Sequence, residues 1–411
     1  MNPPSSPQAP EPLTRYQTFV AALLAFLQFT IVLDFMILSP LGPMLLSDFH
    51  ITTAQFGLVV SAYAFSAGAA GLLAAGFADR YDRKRMLVVM YTGFVVGTAL
   101  CGLAPTYPLL LAARIVTGCF GGVVGSITFA IVADLFSFSQ RGRVMGIVQT
   151  SFAAAQVLGL PAGLWLASHG GWHVPFLVIA AVAAGVGVLI ATNLQPVTGH
   201  LEAARGRNAF AHLWATASKP RHLAGFSATI LLATGGFMLM PFGSTFSVNN
   251  LGIAFDSLPL LYVVTGLASI VTSLYAGGLS DRFGKFPVFV VGTLVTLPMA
   301  LWYTHLSVIA FWPFVAINAA MFTGISTRMV AASALASGVP APADRGAYMA
   351  INSSLQQVSG GAAAAVAGMI VHQSASGRIE GYGTLGFVVA GTMVATLFLM
   401  GNIDRIVRRG G

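Results

Sequence analysis

The chain has 411 residues, of which 56% are hydrophobic and only 8% charged. An ordinary soluble domain carries about 25% charged residues, so this composition excludes one large water-soluble globule and equally a string of small ones. A membrane helix takes about 20 apolar residues, and at that rate the length holds roughly twelve spans with short connectors, leaving no room for a soluble enzymatic head.

In chain order, residues 1–15 are Pro-rich, lack a charged leader region and a cleavage site, and read as a disordered cytoplasmic tail. Apolar runs then predict spans over 17–46, 53–77, 86–104, 107–134, 144–167 and 173–194. A polar linker, 195–220, follows, with a short surface helix expected over 209–217. Six more runs lie at 222–248, 258–279, 287–304, 307–336, 347–371 and 383–402. The resulting organisation is a first bundle at 16–194, the linker at 195–220, a second bundle at 221–404 and a cytoplasmic tail at 405–411. The fold class is therefore all-α integral membrane, with twelve transmembrane helices in two pseudo-symmetric six-helix bundles. Cys101 and Cys119 fall inside apolar runs, which argues against a disulfide framework or a metal site and reads as inert packing.

The net charge of +8 raises the question of a nucleic-acid partner, which would need a basic face on a folded domain. Instead, with the N-terminus placed in the cytoplasm, 17 of the 20 Lys and Arg fall in cytoplasmic segments. That bias predicts a multi-pass protein of the cytoplasmic (inner or plasma) membrane with both termini inside, and no nucleic acid. The eight His are scattered, and neither a nucleotide-binding loop nor a zinc-protease or serine-hydrolase motif occurs. The chain is not expected to be an enzyme or an ATP-driven pump, and no metal or cofactor is expected.

Internal repetition is the strongest long-range signal. Ser39-Pro40-Leu41-Gly42 is echoed by Met240-Pro241-Phe242-Gly243, Asp79-Arg80-Tyr81-Asp82 by Asp281-Arg282-Phe283-Gly284, and Arg141-Gly142 by Arg345-Gly346. The three offsets, 201, 202 and 204, agree closely, as expected for two parallel halves of one transporter design.

The segment Asp79-Arg80-Tyr81-Asp82-Arg83-Lys84, with its second copy Gly277, Asp281, Arg282, Gly284 and Lys285, resembles the signature of the major facilitator superfamily across essentially the whole chain. Ala75 and Asp82 stand where that pattern has glycine. Arg114 resembles the fourth-helix arginine motif, Asp34 the first-helix aspartate of the twelve-helix drug:proton antiporters, and Gly159-Leu160-Pro161-Ala162-Gly163 an imperfect fifth-helix antiporter motif. The resemblance implies a monomeric secondary transporter working by alternating access. It also implies gating roles for Asp79, Arg80, Arg83, Asp134, Asp281, Arg282, Gly159, Pro161 and Gly163.

Read as chemistry, three formal charges lie well inside the spans: Asp34, Arg114 and Arg328. A charge near the bilayer centre costs roughly 2.5–3.5 kcal/mol on insertion scales, so each needs a partner, a cavity or the bundle interior. A desolvated carboxyl holds its proton more tightly and a neighbouring guanidinium weakens that hold; Asp34 with Arg114 is thus a minimal proton-coupling device, and both are candidates for substrate contact. The alternative for the pair is a purely structural tie between helices. Arg328, with no acid in its own half's spans, reads as an anchor for an anionic group at mid-depth, or as a donor to backbone carbonyls. Tyr63, Gln149, Gln156, Asn318, Asn352, Gln356 and Phe237 complete the candidate substrate-binding set, while Gln28 and Gln357 are further polar residues in spans. Pro40, Pro43 and Pro241 predict bends in the first and seventh spans.

Taken together, the expected function is proton-coupled antiport exporting a small amphipathic compound, with the proton gradient as energy source and small solute, protons and lipids as partners. Uptake or facilitated transport of an anionic metabolite is the alternative, and a non-transporting receptor or channel the remote one.

Overall fold

The computed structural model of the chain describes residues 12–77, 80–199, 201, 209–341 and 344–410. Among the described residues, twelve long helices cross in alternation. The first half holds α1 (Arg15–Ile37), α2 (Thr53–Phe77), α3 (Arg83–Leu103), α4 (Tyr107–Leu135), α5 and α6 (His173–Asn193). Helix α5 is built from Phe138–Ala154, a π-helical turn Ala155–Gly159 and Leu160–Gly170. The second half holds α7 (Pro220–Leu239), α8 (Leu258–Phe283), α9 (Lys285–Thr304), α10 (Phe311–Ser337), α11 (Arg345–Ile370) and α12 (Tyr382–Gly410). Among the described residues eleven helices are long and apolar enough to span a membrane. Helix α11 falls outside that set because Asn352, Gln356 and Gln357 dilute it, yet its 26 residues and its packing between α2 and α7 make it the twelfth crossing.

Both ends of the described chain lie on one face, called here the terminal face, and the other is the distal face. Large apolar side chains such as Leu73, Leu274, Phe398 and Met369 project outward from the helices, which is stable only where the surroundings are lipid.

Two corrections to the boundaries follow from backbone chemistry. The run 17–46 is not one helix: α1 stops at Ile37, residues around Pro40 form turns, and a separate helix Gly42–Asp48 follows. The seventh span breaks at the 3-10 turn Met240–Phe242 and resumes as Gly243–Asn249. In each case proline removes a backbone donor. At the chain's end, residues 405–410 are not a separate tail but the last turns of α12. Of the tail expected over 1–15, residues 1–11 lie outside the described residues; Thr14 caps α1 through a reciprocal bond with Gln17. The linker contains the helix Ala209–Ala217.

The halves meet along two seams. In one, α2 lies on α11 through small residues: Gly57 against the Ala364 carbonyl, Gly68 against Ser354 and Val358, Gly361 against Ala64 and Gly368 against Ala54. Thr53 donates to the Val371 carbonyl at its distal end. In the other, α8 meets the π turn and distal segment of α5, with Gly266 against Gln156 and Val157. Between the seams, Gly42 abuts Thr245 and Phe56 stacks edge-on against Phe242 at 5.8 Å. The described contacts between halves thus close the distal face.

Candidate functional site

Asp34 and Arg114 are brought together by packing that glycine permits. On α4, Gly118 and Gly122 lie directly against the α2 backbone at Tyr63 and Ala67, and Gly121 lies under the Tyr63 hydroxyl. This close approach turns Arg114 toward α1. There its Nη1 donates to Asp34 Oδ2 at 2.8 Å and, more weakly, to the Asp34 carbonyl at 3.4 Å. Both residues have 0% exposure. The Arg114 guanidinium lies 4.5 Å over the Tyr63 ring, a cation–π contact. Asp34 Oδ1 and Arg114 Nε are buried without a hydrogen-bond partner, so the pair is bound through one carboxylate oxygen and retains unused hydrogen-bonding capacity.

Around the pair, Thr98 of α3 lies beside the carboxylate, and Cys101 Sγ sits 3.7 Å from Thr117. These residues gave no sequence signal of their own; their only cue is a helix phase that faces α1 and α4. Cys119, by contrast, is exposed on the outer side of α4 and is not a packing residue as its apolar setting suggested.

Gly159 and Gly163 of α5 pack on Leu33 and Ile37, the residues flanking Asp34 on α1. The π turn Ala155–Gly159 ends one residue before Leu160-Pro161. Pro161 has no N–H for the carbonyl four residues back, and a wider turn is one way for a helix to pass such a residue. The fifth-helix motif therefore sits against the ion pair's own helix.

The other candidate residues separate into distinct places. Phe35, next to Asp34, touches Tyr63 with ring centroids 5.3 Å apart and Phe237 of α7 at 5.8 Å, joining the two halves. Gln156 lies in the π turn beside Gly266. Asn352 accepts from Thr229 Oγ1 at 2.6 Å, an α7–α11 tie within one half. Gln356 is partly buried one turn away on α11, and Gln149 is exposed. Asn318 is buried and donates to the Phe314 carbonyl of its own helix. It stands 204 residues after Arg114, as Gly235 stands 201 after Asp34: the second half keeps the scaffold of the first but not its charges.

Arg328 has its Nε buried without a hydrogen-bond partner. It lies in the half of α10 nearer the terminal face, 5% exposed, with its guanidinium 5.3 Å over Phe289 and its backbone against Gly292, both on α9. A cation–π contact holds the guanidinium there, and no acid pairs with it among the described residues.

At the terminal face, Arg83 Nε donates to Asp134 Oδ2 at 3.1 Å, tying the start of α3 to the end of α4. A carboxylate at a helix C-terminus faces the dipole's negative end and gains from such a cation. Asp79 lies outside the described residues; Arg80 and Asp281 are exposed, and Arg282 lies 5.2 Å over Phe283. Asp82, one of the departures from the signature glycine, caps α3 by accepting from the Lys84 amide at 3.0 Å. The same oxygen accepts from the Val197 amide at 2.9 Å, and the Arg83 amide donates to the Val197 carbonyl at 3.2 Å, so the start of the linker is strapped to α3. In the second copy Gly284 ends α8 at φ 94°, a conformation that favours glycine.

Comparison with known proteins agrees with this architecture. The profile of the Major Facilitator Superfamily matches residues 24–364 and, separately, 225–404. The chain is 30% identical over 269 residues to the uncharacterized MFS-type transporter YceJ of Bacillus subtilis (strain 168), covering 65% of this chain and 68% of that protein. Its fold is similar to that of a bacterial homologue of the human lysosomal transporter Spinster in an inward-facing, unoccupied conformation, at TM-score 0.68 and 18% identity over 96% of this chain and 97% of the other. It is similar also to the nucleoside transporter NupG, at TM-score 0.72 and 13% identity over 95% and 99%. With its family profile matched in both halves and its helices paired as described, the chain belongs to the major facilitator superfamily of membrane transporters.

Proposed function

We propose that the chain is a proton-coupled antiporter that exports a small amphipathic compound by alternating access, with Asp34 as the proton-binding group and Arg114 as the group that competes with the proton. The observation that carries this reading is the single-oxygen Asp34–Arg114 contact, fully enclosed and set at the junction of α1 and α4 next to the inter-half contact Phe35–Phe237. A proton on Asp34 removes the charge that holds Arg114, and the freed guanidinium, still over the Tyr63 ring, then has to find another acceptor or water. An enclosed ion of this kind is costly in a membrane and is retained where charge movement is used. The distal closure described above then corresponds to a state open toward the cytoplasm, in which solute is collected.

The test is proton movement in proteoliposomes carrying a pH dye, wild type against Asp34→Asn, over a panel of cationic drugs, neutral aromatics and organic anions. At least one compound should make the wild type dissipate an imposed proton gradient while the variant does not. Equal proton movement in both proteins would rule out Asp34 as the coupling group, and solute equilibration without proton movement in either would make this a facilitator.

A further inference from the structure

Resting on the role proposed above for Asp34, we propose that Tyr63 is a positioning residue of the proton cycle rather than a solute contact: its ring keeps the Arg114 guanidinium in place while Asp34 carries the proton, so that the ion pair re-forms when the proton leaves.

The ring is fixed from several sides. Tyr63 is 2% exposed, its backbone lies directly against Gly118 of α4, and its hydroxyl stands over Gly121. The guanidinium carbon of Arg114 lies 4.5 Å from the ring centroid. The same ring touches Phe35 of α1, which in turn touches Phe237 of α7. Such a ring has little room to turn away from the cation.

With Asp34 ionised, Arg114 has two attractions, the carboxylate at 2.8 Å and the negative face of the Tyr63 ring. That face also repels the carboxylate, which is close enough to act on it, so part of the ring's effect cancels. With Asp34 protonated the repulsion is gone and so is the anion. Arg114 Nε has no hydrogen-bond partner, and what remains for the enclosed guanidinium is the weak contact to the Asp34 carbonyl at 3.4 Å and the ring. The ring thus stabilises the protonated state more than the ionised one, in a region where an uncompensated charge is costly, and its loss weakens proton binding. Among the described residues, the other titratable group acting on the pair is Cys101 of α3. Thr98 beside the carboxylate does not ionise, and neither do Gly159 and Gly163, through which α5 meets α1, nor Phe237 of α7.

The test reads the proton on Asp34 directly and needs no solute. Infrared difference spectra of the purified full chain in micelles, taken against pH, show the protonated carboxyl as a C=O band that Asp34→Asn abolishes. Tyr63→Phe should leave the proton concentration at half-height within about two-fold of wild type, and Tyr63→Leu should raise it about ten-fold. Because leucine also alters the packing, a second series keeps the ring's shape and drains its negative face: Tyr63 is replaced by phenylalanine and then by its mono- and trifluorinated forms, with gel filtration confirming that each variant is folded. The half-point should rise stepwise with fluorination, by about ten-fold over the series, whereas a ring that only fills space is indifferent to fluorine. A half-point that stays constant or falls across the fluorinated series overturns the proposal, even where Tyr63→Leu fails to fold, and leaves Asp34 as the coupling group. The absence of any band sensitive to Asp34→Asn, at every pH where the chain stays folded, overturns both readings.

Discussion

Removing either member of the Asp34–Arg114 pair should cost far more than removing both. The contact is 2.8 Å long and neither side chain touches solvent, so Arg114→Met leaves a carboxylate enclosed without its cation, and Asp34→Leu leaves a guanidinium without its anion. Breaking a buried pair in this way costs about 3–5 kcal/mol. In the double variant neither charge remains and the insertion penalty of about 2.5–3.5 kcal/mol per central charge is lifted, which offsets the strain of placing the larger leucine side chain where aspartate was. Its stability should therefore return to within about 1 kcal/mol of wild type or exceed it. Unfolding in mild detergent, followed by tryptophan fluorescence, reads this directly, since Trp172 is 1% exposed and packs on Phe49 at 5.1 Å. All three variants should have lost proton-linked transport. A double variant as unstable as the sum of the two singles would refute the pairing argument, and one that still couples protons would refute the role assigned to Asp34.

Three further outcomes are expected. Gly122→Ala drives a methyl group into the Ala67 backbone on α2 and should destabilise by about 1–3 kcal/mol, whereas Gly125→Ala meets no neighbouring atom and should change stability by less than about 0.5 kcal/mol in the same unfolding assay. Asp82→Gly restores the signature residue but removes the α3 cap and the bond to the Val197 amide; a loss of about 1 kcal/mol and faster hydrogen exchange at Val197 should follow. Lys219 donates to Asp344 at 2.5 Å, and that hydrogen bond holds the Asp344 carboxyl below its ordinary value. A depressed carboxyl stabilises the fold above the ordinary carboxylate range and ceases to do so as pH falls through its own value. Exchange protection around residues 216–219 should therefore persist at neutral pH, fall away below about pH 4, and be low at all pH values in Asp344→Asn.

The parts of this molecule that depend on composition and local chemistry could be read from sequence. Twelve crossings and a two-fold repeat follow from hydropathy and three matched landmarks, and Asp34 and Arg114 stand out as charges where charge is costly. What was not legible depends on helix phase and on contacts between distant segments. Nothing in the segment around Arg328 reveals that Phe289, 39 residues earlier on α9, lies under its guanidinium. Asp82 departs from a glycine motif; its cap on α3 follows ordinary helix-start chemistry, but its hold on Val197 spans 115 residues. The π turn in α5 had only Pro161 as a cue, because a proline inside a span predicts a disturbance without specifying its form.

The two seams between the halves are unequal. The α2–α11 seam runs from Thr53 and Val371 to Gly68 and Ser354, some 15 residues of helix or roughly 22 Å, whereas α8 meets α5 only along the π turn and its distal segment. Two bodies joined along one long edge and one short edge do not separate as parallel plates. They part as a wedge whose narrow edge is α2–α11 and whose wide edge lies between the terminal-face ends of α5 and α8. The first gap to open would then lie at the α5–α8 edge, where the parted helices face the lipid rather than the aqueous phase.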